Sequence, residues 1–204
     1  DAHAAFVFDY KTSPKSFSWS DFYHGLNVQM PLYLLAVEGR IINDSGPLAA
    51  VGAFFVPVQL TAKNTEAEQE DEDERTAQRR KSYGIFNGEY HRALDPGAQK
   101  WSNYYNYCVS TKGDQYSYYG ISGAIRPDEF SRTMNYARRL IASAAGRILD
   151  GHIAVHPFRK GSQSPCSFCD YQPVCRFDWQ INDYNFLRSM NKQQVLDVLG
   201  GGNA

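Results

Sequence analysis

An α/β or α+β domain is what this sequence predicts, and three observations carry the prediction. Short apolar runs suited to strands, at residues 5–8 and 51–56, alternate with stretches of helical period at 18–38 and 127–150. The chain has 204 residues, 43% of them hydrophobic, enough for one domain with a real core. No internal repeat interrupts that alternation. No run approaches the ~18 apolar residues of a membrane span, and the N-terminal residues do not form a signal-peptide pattern. A cytoplasmic protein with no membrane role is therefore expected.

The elements follow in order. Ala5-Phe6-Val7-Phe8 reads as a buried strand running into Asp9-Tyr10-Lys11, broken by Thr12-Ser13-Pro14. Ser18 or Ser20 can cap a helix extending to about Glu38, stopped by Gly39 and kinked at Pro31, whose ring removes a backbone bond. Val51 opens a second strand, ended by Pro57. Residues 101–125 are rich in Tyr and Gly, with Lys112-Gly113-Asp114 as a hairpin turn. Pro127, Asp128 and Glu129 open the strongest helix. Along it Phe130, Met134, Ala137, Ile141, Ala144 and Ile148 recur at spacings of three and four, and Gly151 closes it. Residues 200–204 form a tail expected to be mobile.

Charge is distributed unevenly. The net formal charge is −1, from 21 basic and 22 acidic residues, but residues 66–74 are Glu or Asp at seven of nine positions. Such a block repels itself and nucleic acid alike, so 62–82 reads as a solvated or flexible insertion. What remains is basic, which leaves room for a local phosphate-binding surface inside a neutral total.

Three groups of residues carry chemistry. Asp9 and Lys11 stand two apart on a strand, which turns both side chains to one face. A carboxylate there can hold a hard cation such as Mg²⁺, and an ammonium beside it can orient water or stabilise charge on a phosphate. Alone, the tripeptide is too common to decide anything. Gln29 and Tyr33, four apart, share a helix face within an apolar stretch; the plainer reading is the polar edge of a core helix. Cys166, Cys169 and Cys175 form a C-x₂-C-x₅-C pattern in a loop-rich segment. In a chain without a secretory pattern these thiols suggest zinc or an iron–sulfur cluster rather than disulfides. Cys108 is a fourth thiol, more simply read as a small buried hydrophobe. The tyrosines of 101–119 can stack on unpaired bases, although sheet packing is the simpler expectation.

Together these motifs resemble the RecB-type nuclease family. The residues that carry the resemblance are Phe6-Val7-Phe8-Asp9-Tyr10-Lys11, Tyr23-His24-Gly25-Leu26 and Gln29-Met30-Pro31-Leu32-Tyr33. Asp150-Gly151-His152-Ile153-Ala154-Val155-His156-Pro157-Phe158 and the segment from Pro165 to Asp178 extend it toward the AddB (RexB) type of helicase–nuclease subunit. The resemblance implies a restriction-endonuclease-like PD-(D/E)xK fold, a mixed sheet flanked by helices, with residues 1–204 forming a single nuclease-domain fragment. It implies Asp9 as a Mg²⁺ ligand, with Lys11, Gln29 and Tyr33 completing the catalytic set. Cys166, Cys169 and Cys175 (within 164–178) would ligate a [4Fe–4S] cluster, the fourth cysteine lying upstream. DNA and an AddA-type subunit, in a heterodimer serving double-strand-break repair, are the implied partners. The family's first metal-binding aspartate lies on the strand before Asp9, so unless Asp1 fills that part these residues alone are expected to show little activity. Other readings are a different iron–sulfur exonuclease of the same superfamily, or a non-catalytic DNA-binding or scaffold module.

Overall fold

Alternating side chains along β1 (His3–Lys11) set the architecture, because its two faces meet different surroundings. In the computed structural model, which describes residues 3–13, 15–40, 46–58, 81–109 and 116–201, Val7 packs into the cluster beneath the helices. Phe6 packs into a second cluster on the opposite face. β1 pairs in parallel with β2 (Leu48–Pro57), β2 runs antiparallel to β3 (Tyr83–Asn87), and β3 pairs in parallel with β4 (Ala124–Ile125). The result is a mixed sheet of order β1-β2-β3-β4. β2 is its spine, buried from Ala50 to Phe55. By contrast β1 lies at an edge of the sheet among the described residues, with Phe8 and Tyr10 exposed, so the strand read as buried is half-buried.

Parallel pairing of β1 with β2 requires a crossover, and α1 (Trp19–Tyr23) and α2 (Gln29–Val37) provide it. The single helix expected over 18–38 is thus two helices. Ser18 caps α1 as expected, its side chain accepting from the Asp21 amide. The chain then breaks at Gly25, whose φ of +76° is left-handed backbone that ends a helix. Pro31 does not kink α2, because it falls in the first turn, where a missing N–H costs no intrahelical bond. Met30 and Leu34 drive α2 into the core with Phe55, Ile85, Ile125, Phe130 and Leu196.

The long helix α4 (Pro127–Leu149) begins at Pro127 and gives way to Gly151, at φ +69°, as its sequence indicates. Its apolar stripe is buried only in part: Phe130 and Ala137 are in the core, whereas Ile148 is 76% exposed. Between β3 and β4 lie a 3₁₀ turn (Gly88–Tyr90), the short α3 (His91–Leu94) and an irregular segment joined by isolated bridges. This segment covers the second face of the sheet. Tyr107 is fully buried against Phe86, and Tyr105 packs on Phe54, so these tyrosines serve packing as expected; Tyr104 and Tyr118 remain exposed. Cys108 is fully buried, in keeping with a small hydrophobe. The acidic run, the 112–114 turn and the end of the tail lie outside the described residues.

The C-terminal part holds a small sheet of β5 (Phe158–Arg159) and β6 (Asn185–Phe186), with a 3₁₀ turn (Pro165–Phe168) and α5 (Gln172–Cys175) between them. Lys160 Nζ bonds Asp21 Oδ1 at 2.5 Å and ties this part to α1. The closing α6 (Lys192–Leu199) starts with a reciprocal capping box between Asn191 and Gln194 and buries Val195 and Leu196. No helix among the described residues is long and apolar enough to cross a membrane.

Candidate active site

Asp9 and Lys11 leave β1 on the same face, the one turned toward α2, as the two-residue period requires. Lys11 Nζ lies 3.0 Å from Asp9 Oδ2. The angle is wrong for a hydrogen bond, so among the described residues this buried oxygen has no hydrogen-bond partner. Lys11 instead donates to Gln29 Oε1 at 3.3 Å, and Gln29 Nε2 donates to the Tyr33 hydroxyl at 2.6 Å. All four residues singled out in the sequence therefore meet in one chain of polar contacts. α2 achieves this because its register, set by burial of Met30 and Leu34, turns Gln29 and Tyr33 together toward β1.

The contacts have a direction. An ammonium can only donate, so Gln29 must accept through its carbonyl and donate through its amide. The Tyr33 oxygen accepts that amide, which leaves its own proton to be given to a further acceptor. Lys11 also lies over the Phe55 ring, 5.2 Å from its centroid, so a buried aromatic beneath the sheet face helps hold the ammonium in place. Phe55 was not legible as a site residue. In sequence it is one more apolar position in a central strand.

Asp9 Oδ2, paired with the Lys11 ammonium but without a hydrogen bond among the described residues, has lone pairs to offer a hard cation, and Asp9 is the carboxylate placed to hold one. Asp1 lies outside the described residues. The cysteines are arranged differently. Cys166 is half-buried, while Cys169 and Cys175 are exposed around the 3₁₀ turn and α5. Among the described residues no three His, Cys, Asp or Glu side chains gather as a metal-binding group. Thiols at this spacing suit a soft metal, but they are not drawn together into a ligand set.

Comparison with known proteins gives a consistent picture. The sequence profile of the PD-(D/E)XK nuclease superfamily matches residues 1–176. Three curated relatives are each named as a subunit of an ATP-dependent helicase/deoxyribonuclease. That of Alkaliphilus metalliredigens is 27% identical over 97% of this chain and 17% of its own length. That of Symbiobacterium thermophilum is 31% identical over 94% of this chain and 16% of its own length. That of Exiguobacterium sibiricum is 27% identical over 95% and 18%. The chain thus spans less than a fifth of the length of the curated relatives it matches.

Proposed function

The chain belongs to the PD-(D/E)XK nuclease superfamily, and from that membership we propose that it is the DNA-cleaving domain of an AddB-type helicase–nuclease subunit. The observation that carries this reading is the convergence of Asp9, Lys11, Gln29 and Tyr33 in one contact chain. The substrate is one strand of DNA, and the partner an AddA-type subunit that helps unwind the duplex at a broken end. The names and coverage of the relatives favour this over another iron–sulfur exonuclease of the superfamily.

Asp9 would hold the divalent cation, Mg²⁺ in this reading, which when bound supplies Lewis-acid charge at the scissile phosphate. The chain's own residues do the rest. Lys11 places a fixed positive charge beside Asp9, where it stabilises the negative charge that builds up on phosphate oxygens during attack. Gln29 keeps that ammonium from swinging onto Asp9 alone. Tyr33, fixed by the Gln29 amide, offers its proton to a backbone phosphate or to the attacking water and so fixes the approach. Cys166, Cys169 and Cys175 carry the donor chemistry for a [4Fe–4S] cluster, with the fourth ligand from elsewhere in the longer protein. Their role in this reading is structural, and no step of cleavage passes through them.

The separation of active sites gives the test. In the intact complex, Asp9→Ala or Lys11→Ala should abolish strand degradation while ATP-driven unwinding persists. Equal loss of unwinding in a well-folded variant would show that these residues are structural, favouring the scaffold reading.

A further inference from the structure

We propose that a groove beside the N-terminal end of α2 binds one nucleotide of the strand being cut, next to the scissile phosphate. The proposal rests on the nuclease reading above and adds a subsite to it. The groove holds about 260 Å³ and lies between the α1–α2 connection and the second half of α4. Val28, Leu140, Ile141 and Ala144 form apolar walls, while His24 and Arg147 bring the ring nitrogens and guanidinium.

Three features point to a nucleotide. The first is position: Val28, the N-cap of α2, lines the groove and directly precedes Gln29, so the groove opens at the end of the helix that carries Gln29 and Tyr33. The second is charge. None of the residues lining the groove is acidic and Arg147 is solvent-exposed, so the groove favours an anion. The third is size and surface. The volume lies just below the usual range of small-ligand pockets, and the apolar walls suit the flat faces of a base. His24 is held for this role, because its Nε2–H donates to the Arg188 carbonyl at 2.8 Å and fixes the ring. The same arrangement explains why the apolar stripe of α4 goes on past the core: Leu140, Ile141 and Ala144 continue it as groove wall.

The test is ultraviolet cross-linking of oligothymidylate to the full-length protein in EDTA, with the cross-linked peptide identified by mass spectrometry, alongside salt-dependent binding. Cross-links should map to residues 24–28 or 140–147. Ala144→Trp, which fills the groove, should lower their yield about tenfold, the loss expected of one stacking contact. Arg147→Gln, an exposed change that leaves the fold alone, should reduce the slope of log affinity against log salt by about 0.7, one phosphate contact to a single strand. Cross-links elsewhere, with both variants binding as the parent does, would overturn the proposal. So would variants that lose a protein partner but keep the DNA cross-link, which would make the groove a protein-docking site. Lys11→Ala, assayed for cleavage in parallel, separates the two claims: cleavage surviving in it would remove Lys11 from the catalytic set proposed above, whatever the cross-links show.

Discussion

Lys192 shows how much a single side chain can carry without any signature in sequence. It is 3% exposed, and its ammonium donates to the carbonyls of Tyr119, Ser122 and Ala124 at 2.8–2.9 Å, over the Tyr119 ring. Burial pushes its pKa down to about 7; Glu129 works against that shift and Arg126 adds to it. A free lysine titrates near 10.5, so between about 7 and that value the unfolded chain binds more protons than the folded one. Stability should therefore rise with pH across this window, and below it the contribution should be flat. Unfolding midpoints measured at neutral pH and near pH 10 should show the rise in the parent protein and its absence in Lys192→Met. A rise that persists in the methionine variant would assign it to another group. Residue by residue, the candidate site was largely legible. Asp9 with Lys11 follows from the period of a strand, and Gln29 with Tyr33 from that of a helix. Phe55 and Lys192 were not, because cation–π contact and a cage of carbonyls are made between segments distant in sequence.

Among the elements, what misled was the connection of helical segments rather than their presence. Residues 18–38 hold continuous helical period, yet Gly25 adopts left-handed backbone and divides them, while Pro31 lands where a helix tolerates it. The division is useful: it frees α2 to choose its own rotation, and that rotation brings Gln29 to Lys11. The edge position of β1 was equally hidden, since four apolar residues in a row read as buried whichever strand flanks them. Close pairing of β2 with β3 depends on a glycine. A Cβ at Gly84 would stand 1.9 Å from the Ala53 carbonyl oxygen and 2.8 Å from the Phe54 Cα, both backbone atoms that cannot swing away. Gly84→Ala should therefore cost about 1–3 kcal/mol of stability, in line with other overpacked cores, read as a lower urea midpoint. An unchanged midpoint would mean that the strands separate without penalty.

Viewed as a whole, the molecule carries Asp9, Lys11, Gln29 and Tyr33 on β1 and α2, and Cys166, Cys169 and Cys175 in its C-terminal part. The two are joined by Lys160–Asp21 and by the His24 contact to Arg188. Phe168, Tyr171, Val174 and Trp179 around the cysteines are more than two-thirds exposed. The full-length protein should bind iron and sulfide through Cys166, Cys169 and Cys175 and absorb broadly in the visible range. Stoichiometric zinc without iron, after anaerobic preparation, would instead favour the zinc reading of the same thiols. Sequence could propose these ligands from spacing alone. It could not give their separation in space, because loop geometry there is not set by a repeating period.

The most direct measurement is single-turnover cleavage of a single-stranded oligonucleotide by full-length protein carrying Asp9→Asn, with binding followed on the same sample. Asparagine keeps the shape of the side chain and removes its charge. DNA should bind as tightly as before while cleavage in Mg²⁺ falls by at least about a hundredfold, the scale of losing a key electrostatic group. Cleavage at the parental rate, or a loss of cleavage fully explained by lost binding, would contradict the assignment of Asp9 to the cation.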